Sequence, residues 1–281
     1  MASPSRTADT VGTTDTAARS LQHWSEDGRA GMDAFYTLAT EDYRRLVGAA
    51  DWSALLGGHA RDNWQLLDVA CGSGQFPAAL LRTGTLDSLP PVRYDLLDPS
   101  GFSVTEARAR LSGPFVPGRE LVMSLQELAE EASYEVVWAT HALYALPPEE
   151  LAQAAARFVA ALAPGGLGFV AQATAAAHYL AFYDAYRAGV NAATPFTSAE
   201  QVRDALRGAG ADVREQRLRY TTGTADRAVA QGFLQRCAFD DRHSLEQMEA
   251  APVLGDYLAE CRQPDGSYRF EHEVALLWLD R

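Results

Sequence analysis

The stretch Leu66–Phe76, LLDVACGSGQF, decides how this chain is read. An apolar run reaches an acid, Asp68, and passes through a small-residue turn carrying Gly72 and Gly74 into an Ala-rich segment. A strand that ends in a glycine turn and feeds a helix offers backbone N–H groups and the helix N-terminus to a ligand beyond the strand's carboxyl end. On either side of that turn, short β-rich runs (QLLDVA, VRYDLLD, YEVVWAT, GLGFVAQA) alternate with helical ones (FPAALLRTG, SVTEARARLSG, PPEELAQAAARFVAALAPGG). The alternation predicts an α/β, Rossmann-like fold with a mostly parallel sheet and helices on both faces. Later segments predict helices at Ala175–Gly189, Ser198–Gly210 and through Asp226–Arg262. A strand near Val213–Thr222 pairs antiparallel, as an edge, with a closing strand at Glu273–Leu279, giving seven strands with the last reversed.

With 281 residues, 47% hydrophobic and 22% charged, the chain can bury one full α/β core plus additions. Its 24 basic and 37 acidic residues, a net charge of −13, have the wrong sign for a phosphate backbone, so no nucleic-acid partner is expected. Cys71, Cys237 and Cys261 lack the spacing of a disulfide framework or a metal site, which fits a cytoplasmic protein with no metal. No apolar run is long enough to span a bilayer, so no membrane partner is expected. The expected organisation is a disordered tail over 1–20, a helical lid and substrate-recognition segment over 21–60, and a core over 61–281. Two lid helices are expected at about Leu21–Gly31 and Met32–Gly48, and substrate-side insertions around 175–197 and 226–262. The partner expected is a small-molecule substrate, and the protein a monomer or homodimer.

The second strand, VRYDLLDPS, ends in Asp98, 24 residues past Gly74. An acid there can accept hydrogen bonds from both ribose hydroxyls of an adenosine. The fuller G-x-G-x-x-G turn of a dinucleotide site and the Gly-Lys-Ser/Thr ending of a P-loop are both missing. The turn DVACGSG resembles instead the first motif of the class I S-adenosylmethionine-dependent methyltransferases, with Ala70 where the family most often has its first glycine. The resemblance runs from Gln65 to Ala173 through LLDPS, MSLQEL, YEVVWATHALYAL and LAPGGLGFVAQ. It implies S-adenosyl-L-methionine as cofactor, with Asp68 near the methionine amino end and Ala70, Gly72, Ser73 and Gly74 lining it. It further implies Asp98 and Pro99 at the ribose, Ser124 and Leu125 flanking the adenine, and Thr140 and His141 facing the methionine portion and the reacting methyl. Ser124, with Glu127 three residues on, reads equally as a helix N-cap.

Shorter pieces resemble the histamine N-methyltransferase-like small-molecule methyltransferases. In FYTLATEDY, Glu41 stands where that family recognises the substrate amine, and Tyr36 begins the same lid segment. After the fourth strand the family's polar residue and Leu-Tyr pair are matched by His141, Leu143 and Tyr144. Tyr179 and Tyr183 stand for its pocket-walling tryptophans, although with Tyr186 they also read as a core stripe. In FEHEVALLWLD, Glu271 and His272 replace a substrate-reaching amide, which argues away from histamine itself. The resemblance implies methyl transfer to a nitrogen or electron-rich carbon of a small aromatic or heteroaromatic amine, imidazole- or indole-like. His141 is the expected proton acceptor or orienting group, with Glu41 and His272 behind it. Oxygen methylation, a protein or RNA substrate, and a non-catalytic cofactor binder remain as alternatives.

Overall fold

The computed structural model describes residues 16–129 and 131–280. Three helices come first: α1 (Thr16–His23), α2 (Arg29–Val47) and α3 (Trp52–Gly57). The alternating part follows as β1 (Gln65–Val69), α4 (Gln75–Leu81), β2 (Val92–Leu97), α5 (Gly101–Arg110), β3 (Phe115–Leu121), β4 (Tyr134–Thr140), α6 (Pro148–Ala161) and β5 (Leu162–Ala173). Then come α7 (His178–Gly189), α8 (Ala199–Gly208), β6 (Asp212–Thr224), α9 (Arg227–Ala238), α10 (Leu245–Ala250), α11 (Leu254–Cys261) and β7 (Tyr268–Asp280). The seven strands form one sheet in the order β3-β2-β1-β4-β5-β7-β6. All neighbours through β5 are parallel, and β7 runs antiparallel to both β5 and β6.

Two-residue alternation builds the core. Leu66, Val136, Trp138, Phe169, Leu276 and Trp278 point to one face, packed with Trp52 and Phe76. Leu67, Val137, Val170, Leu277 and Leu279 point to the other, covered by α6 and α8. Helix α6 shows why the sequence folds so locally: Pro148 opens it, Glu149 and Glu150 occupy its positive end, and Leu151, Ala154, Ala155 and Phe158 line one buried face. A third cluster stands off the sheet, where Leu38 and Ala39 of α2 meet Phe182 and Tyr186 of α7 and Phe233 and Leu234 of α9. Burying each of its aromatic rings is worth about 1.5–3 kcal/mol, enough to hold these helices as a cap.

Several sequence expectations change. The closing pair is antiparallel as expected, but β7 lies inside the sheet and β6 is the edge. Strand β3, FVPGREL, has no apolar signature, because it is the opposite edge, where Pro117 removes no needed ladder bond. The first helix pair breaks at 24–28 and not at Gly31, because a Cβ on Gly28 would stand 2.2 Å from the His23 carbonyl oxygen. Residues 1–15 of the expected tail lie outside the described residues. From Thr16 the chain is helical, and Thr16, Arg19 and Ser20 are buried. Arg19 ties this helix down, donating through Nε at 3.2 Å to the Phe239 carbonyl just past α9. A charge capping another helix's C-terminus across 220 residues leaves no local trace in the sequence.

Candidate functional site

Beyond the carboxyl ends of β1, β2 and β4 lies a cavity of about 470 Å³, roofed by α1, α2, α7 and the end of α9. One half is built by the glycine turn. Ala70, Gly72 and Gly74 all take left-handed backbone conformations, at φ 49°, 50° and 71°. Gly72 faces the cavity, and a Cβ there meets nothing within 4 Å, so its bareness leaves room for a ligand. Gly74 is turned inward, where a Cβ would stand 2.8 Å from the Cα of Ala107 on α5. Asp98 fixes the turn, accepting the Gly72 N–H at 3.0 Å and the Ser100 N–H at 2.8 Å, while its side chain also lines the cavity. Burial pushes its carboxyl up to about 6, against those two bonds, which favour the ionised form.

Pro99, Ser73, Ser124, Leu125 and Thr140 complete this half. Ser124 and Glu127 form a reciprocal capping box as well, so capping and lining coexist. Asp68 is not on the wall. It is buried behind it, takes the Tyr94 hydroxyl at 2.6 Å, and is pushed up to about 7 by burial.

The other half is aromatic. Phe35, Tyr36, Tyr43, Tyr144, Tyr179, Phe196 and Phe239 face it, together with His141 and Asp42. Tyr36 reaches back to the turn, its hydroxyl 3.0 Å from Ser73 Oγ. His141 follows the last residue of β4 at φ 52°, a strained conformation for a residue with a side chain, and its N–H donates to the Ala171 carbonyl at 2.8 Å. Its ring meets Tyr43 edge-on at 5.9 Å, and Nε2 is buried without a hydrogen-bond partner. Burial lowers its pKa to about 4, so the imidazole is neutral at pH 7.

Besides Asp68 and Gly74, four expected site residues lie off the wall. Glu41 points away from the cavity into ion pairs with Arg44 and Arg45. The acid on the wall is its neighbour Asp42, 3% exposed, whose oxygens accept the hydroxyls of Tyr179 at 2.6 Å and Tyr220 at 2.7 Å. Burial raises it to about 7, although the two phenols favour the ionised form. Helical spacing holds the signal: Phe35, Ala39, Asp42 and Leu46 share the inward face of α2, and Glu41 lies about 100° off it. His272 sits behind the wall, stacked on Tyr220 at 4.9 Å with Nε2 2.8 Å from Thr222 Oγ1, and burial pulls it down to about 3. Tyr183 stacks on Phe196 at 3.7 Å and meets Thr16 Oγ1 at 2.9 Å, outside the cavity. Glu271 is exposed and pairs with Arg269 at 2.9 Å. The wall residues missed include Phe35, Asp42, Tyr43, Gln172, Phe196, Arg236 and Phe239.

The strand order, the reversed β7 and a cavity over the glycine turn define a Rossmann-like class I methyltransferase fold. Residues 66–166 match the family model of the methyltransferase domain. Among solved structures, the chain is similar to a protein of Bacillus halodurans C-125 described as a candidate methyltransferase, at 15% identity and a TM-score of 0.59, over 82% of this chain and 98% of that one. It is similar to an S-adenosylmethionine-dependent methyltransferase of Leishmania major, at 15% identity and 0.51, over 96% and 88%. It also resembles magnesium protoporphyrin IX methyltransferase of Synechocystis PCC 6803 with bound S-adenosylhomocysteine, at 12% and 0.53, over 93% and 99%. At these identities the likeness is one of fold. No curated protein matches the chain in sequence.

S-adenosyl-L-methionine is the cofactor of this domain, and the bare cradle at Gly72 beside the Asp98 carboxylate fits it. Among the described residues no helix is long and apolar enough to cross a membrane.

Proposed function

We propose that this protein transfers a methyl group from S-adenosyl-L-methionine to a nitrogen or electron-rich carbon of a small aromatic or heteroaromatic amine. When bound, the cofactor supplies an activated methyl group on a sulfonium. Asp98 takes the ribose hydroxyls, with Ser124 and Leu125 at the adenine and Thr140 toward the methionine end. The rings of Tyr36, Tyr43, Tyr144 and Tyr179 hold a flat acceptor and keep water out. Asp42, with no basic partner among the described residues, takes the acceptor's cationic nitrogen. Gln172 donates through Nε2 to the Thr197 carbonyl at 2.9 Å, and its Oε1 is buried without a donor, which suits an acceptor N–H.

The observation that carries the reading is His141: neutral, strained, unbonded through its side chain, and on the wall between cofactor turn and aromatic half. A bound cofactor would supply the methyl group to the attacking nitrogen or carbon and retain the methyl–sulfur electron pair on sulfur, so the acceptor would become cationic. The proton it then sheds goes to the imidazole of His141. A pKa of about 4 makes this a weak base, sufficient for an acidic methylated cation. The test is incubation with cofactor and a panel of amines, imidazoles and indoles, read by mass spectrometry as a gain of one methyl with formation of S-adenosylhomocysteine. Methylation confined to oxygen acceptors would refute the substrate class, and failure to bind S-adenosylhomocysteine would refute the whole reading.

A further inference from the structure

Among the described residues lining the cavity, Arg236 is the one cation that persists at neutral pH; the acids Asp42, Asp98 and Glu150 share the wall, and His141 is neutral. Arg236 lies in the last turn of α9 and is 3% exposed. Its Nη1 donates to the His23 carbonyl, its Nη2 to the Gly28 carbonyl, and its guanidinium lies 5.2 Å above the Trp24 ring. No described carboxylate forms an ion pair with it. The place is built for it, since a Cβ on Gly31 would stand 2.6 Å from Nη2. Two of the five guanidinium N–H groups are thus used on carbonyls, and the buried positive charge forms no ion pair, with Asp241 acting on it only through space.

The segment that Arg236 grips covers the cofactor side of the cavity. Ser100 Oγ, two residues past Asp98, donates to the Trp24 carbonyl at 2.6 Å. Tyr36, on the adjoining helix, touches Ser73 of the glycine turn. A ligand whose ribose is held by Asp98 extends its amino-acid end along Gly72 and Ser73, toward this segment. That end carries a carboxylate, which the acids on the wall repel.

We propose that Arg236 binds the carboxylate of the cofactor's methionine moiety, and so couples cofactor binding to the docking of residues 23–28 over the site. This rests on the cofactor assignment, and the test separates the two. Calorimetry is run with S-adenosylhomocysteine, which has the carboxylate, and with 5′-methylthioadenosine, which keeps the nucleoside and lacks the amino acid. Wild-type protein binding neither ligand would refute the cofactor assignment itself. If it binds both, Arg236→Gln is expected to weaken S-adenosylhomocysteine about 10- to 100-fold, the usual loss for a charge-assisted hydrogen bond, and Arg236→Lys less, with 5′-methylthioadenosine unchanged. Retained S-adenosylhomocysteine affinity in both variants overturns the proposal. Equal losses for the two ligands also overturn it, because an arginine that only latches the segment would weaken both.

Discussion

Gly72 and Gly74 stand two residues apart in the same turn, both left-handed, and alanine at each is expected to damage a different property. At Gly74 a methyl group would lie 2.8 Å from the Ala107 Cα and 3.2 Å from its Cβ, so the start of α4 and the body of α5 must part. Left-handed backbone costs a residue with a Cβ about 1–2 kcal/mol, and overpacking against backbone adds about 1–3 kcal/mol. Gly74→Ala should therefore lose about 2–5 kcal/mol of stability, visible as a lower urea midpoint. At Gly72 the new methyl meets no protein atom within 4 Å, so only the conformational term of about 1–2 kcal/mol applies. That methyl occupies space needed by the ligand, and Gly72→Ala should weaken S-adenosylhomocysteine about tenfold or more. Paired urea unfolding and calorimetry on the two variants decide the matter. A Gly72→Ala protein that binds as tightly as its parent, or a Gly74→Ala protein with an unchanged midpoint, would refute the division of labour.

His141→Ala should lower turnover about 10²–10⁴-fold with S-adenosylhomocysteine affinity unchanged, and a variant with parental single-turnover rates would remove it as proton acceptor. Asp42→Asn should raise the Michaelis constant for an amine acceptor about 10- to 100-fold while leaving cofactor affinity alone; steady-state kinetics on the best panel substrate read this directly. The Asp98 carboxyl, raised to about 6, must ionise to accept ribose hydroxyls fully, so S-adenosylhomocysteine affinity should fall as pH drops through about 6, and a flat profile from pH 7.5 to 5 would count against its role. Its sign for the free protein is opposite: a raised carboxyl contributes stability below its unfolded pKa that is lost as pH rises through about 6. His141 and His272, depressed to about 4 and about 3, contribute stability above about 6.5 that is lost as pH falls through those values, and acid titration of unfolding in the His141→Ala and His272→Ala variants should show each share diminished.

The local chemistry of the chain determined the parts that depend on neighbours in sequence. Alternating apolar runs specify strands whose two faces both meet core, and DVACGSG specifies a turn because its backbone needs left-handed angles next to a helix start. Asp98 is legible for the same reason, since a strand end fixes where its side chain goes. Edges escaped: β3 carries a proline and two charges because one of its sides meets no strand, and no apolar pattern marks it. On α2 the choice between Glu41 and Asp42 turns on one helical step, and only packing against α9 and β6 shows which faces inward. Arg19 and Arg236 lay wholly beyond local reading, because each satisfies carbonyls more than 200 residues away, and Gly31 is explained only by the guanidinium that fills its missing side chain. Short-range sterics and periodicity thus determined the sheet and its cofactor turn, while the roof of the site came from contacts that exist only once distant segments are folded together.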